Sequence, residues 1–249
     1  VLQWIQKYTI CMVSKSQIKL ITRLNQKKYR QQERLFIAEG QKTINELLNS
    51  SLKLHQVFTT RSFNFDAKTE TIVTEAELKK ISFLSTPNQA LAIFKIPESK
   101  PIQDNKLIIA LDAVRDPGNL GTIIRLCDWF GIQDLVCSAS TVDCYNPKVV
   151  QATMGSITRV NVSYVNLETF LKNNPMAVFG AFMDGNNVYR TTLPNQGILV
   201  LGNEANGISP AIEACLDKKL SIPRFGDLQT TESLNVATAT AILLSEFKR

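Results

Sequence analysis

From residue 107 onward the chain alternates short apolar runs with helix-like segments, and this alternation limits the fold more than any other feature. LIIALDAV (107–114), DLVCSA (134–139), ITRVNVSYV (157–165), AVFGAFM (177–183), GILVLGNE (197–204) and LSI (220–222) read as strands. TIIRLCDWFG (122–131), NPKVVQATMGS (146–156), LETFLKNN (167–174), SPAIEACL (209–216) and the stretch after Asn235 read as helices. Uniformly apolar strands are buried on both faces, which is the mark of a parallel sheet. Helices between them then cover both faces. The expected class is α/β with a mostly parallel sheet. The last helix is apolar nearly all round (Leu234, Val236, Ala237, Ala239, Ala241, Ile242, Leu243, Leu244), so it is expected to be buried.

Ligands in open α/β sheets bind beyond the carboxyl ends of the strands. Three loops fall there: DPGNLGTIIR (116–125), GNEANGIS (202–209) and PRFGDLQTTESLN (223–235). Together they place Asn119, Arg125, Glu204, Ser233 and Asn235 at converging positions. No G-x-G-x-x-G or G-x-x-x-x-G-K-[ST] is present, which argues against a dinucleotide fold and a P-loop. Five cysteines without close pairs argue against a disulfide framework and a zinc site, and suit a reducing cytosol. The single histidine, His55, anchors no metal site. No apolar run is long enough for a bilayer span.

The N-terminal part differs in charge. Residues 1–100 hold 16 Lys/Arg against 8 Asp/Glu, net +8; residues 101–249 hold 12 against 14, net −2. That asymmetry suggests a polyanion met by the first part. In residues 15–34, Lys15, Lys19, Arg23 and Lys27 are four apart and would share one helical stripe, joined by Arg30 and Arg34. Ile18, Ile21 and Leu24 lie on another side. A break is expected near Asn25. The stripe is either a solvated face or a phosphate-binding one, and the interleaved Tyr29 and glutamines favour phosphate. LFIAEG (35–40), LHQVFTT (54–60), TIV (71–73) and QALAIFKIP (89–97) read as strands of a small α/β unit. The expected organisation is a domain over 1–97, a linker over 98–106 and a second domain over 107–249, with residues 1–11 an extension that adds little.

NLGTIIR (119–125), LVLGNEANGIS (199–209) and IPRFGDLQTTESLNV (222–236) occur in this order and resemble the three signature motifs of the SpoU/TrmH family of RNA 2′-O-ribose methyltransferases, part of the SPOUT superfamily. The basic first part is similar, more loosely, to the substrate-binding domain often joined to that catalytic domain. The resemblance implies a SPOUT-type sheet with a C-terminal trefoil knot, S-adenosylmethionine as cofactor, no metal, no membrane and a cytoplasmic homodimer. It implies cofactor contacts through Leu201, Gly202, Ile222, Pro223, Leu234 and Asn235. Asn119, Arg125, Glu204, Ser233 and Asn235 would be catalytic, with Arg125 a clamp on the RNA phosphate, since a guanidinium is always protonated. Lys19, Arg23, Lys27, Lys28 and Arg30 would bind RNA. Ribosomal RNA is favoured over transfer RNA; a non-catalytic RNA-binding or ribosome-assembly protein is the competing reading. Two departures from the family stand out: a longer third loop, 224–232, and Ala205 where a glycine is common.

Overall fold

The computed structural model describes residues 11–63, 69–103, 105–226 and 233–249. The chain forms two units. One comprises the residues up to Glu98 together with Tyr145–Thr158; the other comprises Ser99–Cys144 and Arg159–Arg249.

In the first unit, helices α1 (Lys15–Arg23) and α2 (Lys27–Glu33) lead into β1 (Leu35–Glu39). Then come α3 (Gln41–Leu48), β2 (Leu54–Thr59), β3 (Glu70–Ile72), α4 (Glu75–Lys79) and β4 (Ala90–Lys95). The sheet order is β1-β4-β2-β3, antiparallel except for β2 with β3. Ile21 and Leu24 of the first helical stretch pack with Leu35, Ile37, Phe58, Leu78, Leu91 and Ile93. The expected break falls at residues 24–26, so the basic stripe is not continuous. Residues 1–10 of the expected extension lie outside the described residues; the Cys11 N–H bonds to the Ile72 carbonyl and Val13 is buried.

The expectation for Arg30 is corrected here. Its side chain is only 1% exposed. Nη1 donates to the carbonyls of Leu24 and Asn25, both at 2.8 Å. Those carbonyls end α1, where no further helix turn can satisfy them. Arg30 therefore staples the break between α1 and α2 and is not on offer to a phosphate. Lys19, Arg23, Lys27 and Lys28 are exposed. Arg23 and Lys28 lie 5.2 and 5.9 Å from the centre of the Tyr29 ring.

The second unit contains β5 (Leu107–Leu111), α5 (Pro117–Trp129) and β6 (Asp134–Ser138). Helix α6 (Pro147–Thr153) follows in sequence but packs in the first unit, against β1, with Tyr145 beside Phe36 at 4.8 Å between ring centres. The sequence expectation had placed this helix in the second domain. Its apolar Val149 and Val150 are buried there, which the 3.6-residue pattern alone does not assign to a partner. The second unit continues with β7 (Asn161–Val165), α7 (Leu167–Lys172), β8 (Val178–Asn187), β9 (Gly197–Leu201), α8 (Pro210–Glu213), β10 (Lys218–Ser221) and α9 (Val236–Phe247). The sheet order is β10-β8-β9-β5-β6-β7, every pair parallel. All strand ends that could carry a site therefore share one edge. Ile108, Ala110, Val136, Ile198 and Val200 pack with Leu167, Leu171 and Ile212 from the helices. Helix α9 packs along α5 and sets Phe247 edge-on to Phe179. No helix among the described residues is long and apolar enough to cross a membrane.

Two outcomes are expected in the first unit. Arg30→Ala should cost about 2–3 kcal/mol, because it orphans two carbonyls and removes charge-assisted bonds, whereas Lys28→Ala should stay within about 0.5 kcal/mol. Urea unfolding read by amide exchange in β1 checks both. Glu39 is buried and accepts from Ser82 and the Phe83 N–H; burial raises its carboxyl pKa above the ordinary 4.5, more than those bonds lower it. The folded state thus holds that proton more tightly than the unfolded chain does. Its stabilising contribution is full below 4.5 and lost as pH rises through the raised value. Stability against pH for wild type minus Glu39→Gln should show that fall.

Candidate functional site

The DPGNLG stretch, expected as a turn, is the start of α5. The Asp116 side chain accepts the Asn119 N–H at 2.8 Å and Pro117 occupies the first turn, where its missing N–H costs nothing. Asn119 thereby stands on the first turn of a helix. Leu120, Ile123, Ile124 and Cys127 fix that helix by their burial.

A line of hydrogen bonds joins the three loops. Asn119 Nδ2 donates to Glu204 Oε1 at 2.9 Å, across 85 residues of sequence. Asn235 Nδ2 donates to Asn119 Oδ1 at 2.8 Å, across 116 residues. Asn235 Oδ1 accepts the N–H groups of Ala237 and Thr238, capping α9. Among the described residues the second oxygen of Glu204, Oε2, has only long contacts, 3.5 Å each from the Arg115 N–H and Asn203 Nδ2. One carboxylate oxygen is thus committed and the other keeps capacity for a further donor.

The loops are braced from behind. Ala113 has φ 58°, a left-handed conformation costing a non-glycine roughly 1–2 kcal/mol. Its N–H donates to Ser138 Oγ at 2.9 Å and its carbonyl accepts Asn203 Nδ2 at 2.7 Å. Asn203 Oδ1 takes the Ala205 and Asn206 N–H groups, and buried Asp112 takes the Ser209 N–H at 2.8 Å. Asn203 and Ser138 are supports that the motifs did not single out; Asp112 was legible only as a cap at a strand end. Ser209 is the N-cap residue of α8, but its side chain makes no cap bond; its N–H donates to Asp112. Gly207, not Ala205, takes the left-handed backbone of this loop. A Cβ on Gly202 would stand 2.1 Å from the Gly207 backbone, so the loop closes on itself only with glycine there.

The other expected residues are placed differently. Ser233 is exposed, two residues before Asn235, and makes no hydrogen bond among the described residues. Arg125 is exposed on α5. Six residues past Asn119 it lies about 9 Å along the axis and about 120° round the helix, so the two side chains leave on different faces. Of the acids near it, Asp128 pairs with Arg159 at 2.9 Å and Asp116 caps the helix. Leu201 is 1% exposed and its carbonyl accepts the Asp112 N–H, so it backs the edge and does not line it. Ile222 and Pro223 are half-buried, and Leu234 is 46% exposed at the mouth of α9. Residues 227–232 of the longer third loop lie outside the described residues. Cys127 and Cys137 are buried, and burial pushes both thiols far up, so they stay protonated and are not nucleophiles. Among the described residues no three or more His, Cys, Asp or Glu side chains gather as a metal site would need.

Residues 106–245 match the model of the SpoU rRNA Methylase family, and residues 15–92 match the MRM3-like substrate binding domain. The 23S rRNA (guanosine(2553)-2′-O)-methyltransferase RlmP of Bacillus subtilis (strain 168) is 30% identical over 231 residues, covering 89% of this chain and 92% of that protein. Among solved structures, a TrmH-family protein from Porphyromonas gingivalis superposes with a TM-score of 0.86 at 38% identity, covering 96% and 99% of the two chains. The AdoMet-bound rRNA methyltransferase from Sinorhizobium meliloti gives a TM-score of 0.83 at 30% identity, covering 96% and 97%.

The double use of Asn235 can be separated. Asn235→Ala removes both cap and donor and should cost about 1 kcal/mol of stability. Asn235→Asp keeps a good cap but offers Asn119 no N–H. It should melt close to wild type while α5 and α9 exchange amide protons faster at their first turns.

Proposed function

The chain belongs to the SpoU rRNA methylase family, and from that premise we propose that it transfers a methyl group from S-adenosylmethionine to a ribose 2′-OH of ribosomal RNA. The observation that carries this reading is the Glu204–Asn119–Asn235 line at the carboxyl edge of a parallel sheet. The unit of residues 15–92 serves as the RNA-binding domain, with exposed Lys19, Arg23, Lys27 and Lys28 on the phosphates, and the domain from residue 107 onward as the methyltransferase.

The residues fit the cofactor. Gly202 presents backbone without a side chain, and Ile222, Pro223 and exposed Leu234 supply apolar walls with no charge among them. Such a set suits an adenine nucleoside read by backbone groups. Leu201 and Asn235 hold those loops from behind. S-adenosylmethionine, when bound, supplies an electrophilic methyl group on a sulfonium.

The protein's part is to hold the 2′ oxygen in line and ease loss of its proton. Asn119 is fixed at both ends of its amide, so Glu204 is held in one orientation. Glu204 Oε2 keeps the capacity to accept from a hydroxyl. Ser233, exposed beside Asn235, orients the ribose. Arg125 grips a phosphate and stabilises the forming alkoxide; it is not the base.

The C-terminal segment, with β10 beside β8 and α9 against α5, forms the trefoil knot of the superfamily. The protein works as a cytoplasmic homodimer. Arg125 shares an outward face of α5 with Thr122 and with Trp129, which is 84% exposed. A second subunit would cover that face and receive Arg125 at its own site.

Calorimetric titration with S-adenosylmethionine and nucleoside mass spectrometry of treated ribosomal RNA test the activity; a protein that only binds RNA gives neither heat nor 2′-O-methylribose. Asn119→Ala should lower turnover roughly a hundredfold. Arg125→Ala subunits mixed with Asn119→Ala subunits should regain roughly a quarter of wild-type activity, since half the dimers would hold one intact site. A mixture that stays inactive means that Arg125 serves its own chain.

A further inference from the structure

Phe225 is 83% exposed and Tyr189 is 39% exposed. Their ring centroids are 6.4 Å apart and the ring planes differ by 33°. Leaving a phenylalanine in water forgoes about 1.5–3 kcal/mol of burial, so an exposed pair of rings on one edge calls for a ligand. The rings come from neighbouring strand ends. Tyr189 lies in the turn Val188–Arg190 directly after β8, and Phe225 follows β10, whose Ser221 is in register with Asn187.

The turn holding Tyr189 is rigid. Its N–H bonds to Asn187 Oδ1 at 2.9 Å, Thr191 Oγ1 bonds to the Asn187 carbonyl at 2.8 Å, and Val188 is buried. It packs against α9, the helix capped by Asn235, which in turn bonds to Asn119. The aromatic pair is therefore built on the same helix and strand edge as the candidate site. Exposed Arg190 and Arg224 adjoin the two rings in sequence. Exposed aromatic rings are what single-stranded RNA binds through base stacking.

Resting on the function proposed above, we infer that Tyr189 and Phe225 form a shelf on which the base of the target nucleotide stacks. The reaction touches only the ribose, so the base takes no part in the chemistry. A base left loose would swing the sugar and carry the 2′ oxygen out of line. Stacking fixes the base without reading its identity, because every base has a π-face.

The test uses the full chain and a short single-stranded oligoribonucleotide carrying one 2-aminopurine, whose fluorescence is quenched on stacking. No methyl donor is needed, so the result is independent of whether ribosomal RNA is methylated. Wild type should quench. Phe225→Ala and Tyr189→Ala should each weaken binding roughly 5- to 150-fold and abolish the quench, Phe225→Leu should resemble Phe225→Ala, and Phe225→Trp should bind as wild type. Affinity for S-adenosylmethionine and the sedimentation mass should be unchanged in all of them. Unaltered oligonucleotide binding in both alanine variants overturns the shelf. So does a loss of S-adenosylmethionine affinity, which makes the pair a cofactor wall, or a fall in mass, which makes it a subunit contact. Absence of methyl transfer by wild type, with the quench intact, counts against the proposed activity and leaves the shelf standing.

Discussion

The amide of Asn119 is the hinge on which the site depends. A carboxylate can only accept, so Glu204 forces the Nδ2 of Asn119 toward itself. The oxygen of Asn119 must then face Asn235, and Asn235 must present its own Nδ2, which turns its oxygen onto the first N–H groups of α9. One charge thus sets the sense of two amides in series and the start of a helix. Hydrogen bonds linked this way polarise one another. Breaking one link removes what sets the orientation of the neighbouring amide, although the loops keep their own supports from Ser138, Asn203 and Asp112.

This line was partly legible in the sequence. Parallel strands share a carboxyl edge, so polar residues just past β5, β9 and β10 had to gather, and Asn119, Glu204 and Asn235 do. What pattern could not say was which atoms meet, since that depends on α5 beginning at Pro117 and not after Gly121. Arg125 shows the same limit: adjacency to Asn119 in a motif gives no direction, whereas six helical residues turn the side chain away. Arg30 misled for another reason. A cation within a basic run reads as surface, and only the tertiary structure reveals two helix-end carbonyls awaiting a donor. Helix α6 has a buried apolar face, but an apolar face does not name its partner, and it packs on β1.

Buried polar groups recur as organisers in both units. Arg30 closes the end of α1, Glu39 holds the segment after α4 and Asp112 holds Ser209; the half-buried Tyr164 likewise bridges the Cys144 N–H and the Val142 carbonyl. Each satisfies backbone groups that no strand or helix can serve, so the irregular segments stay ordered without regular structure. The strained backbone at Ala113 belongs to the same scheme, since Ser138 and Asn203 hold it from two sides.

The reach of the Asn235–Asn119 bond has a consequence for a nascent chain. At roughly 5–20 residues per second, the ribosome makes Asn235 about 6–23 seconds after Asn119, the time needed for the 116 residues between them. Through that interval Asn119 can already lean on Asp116, but its own oxygen has no partner. The line across the three loops therefore closes only after α9 has been made and has docked.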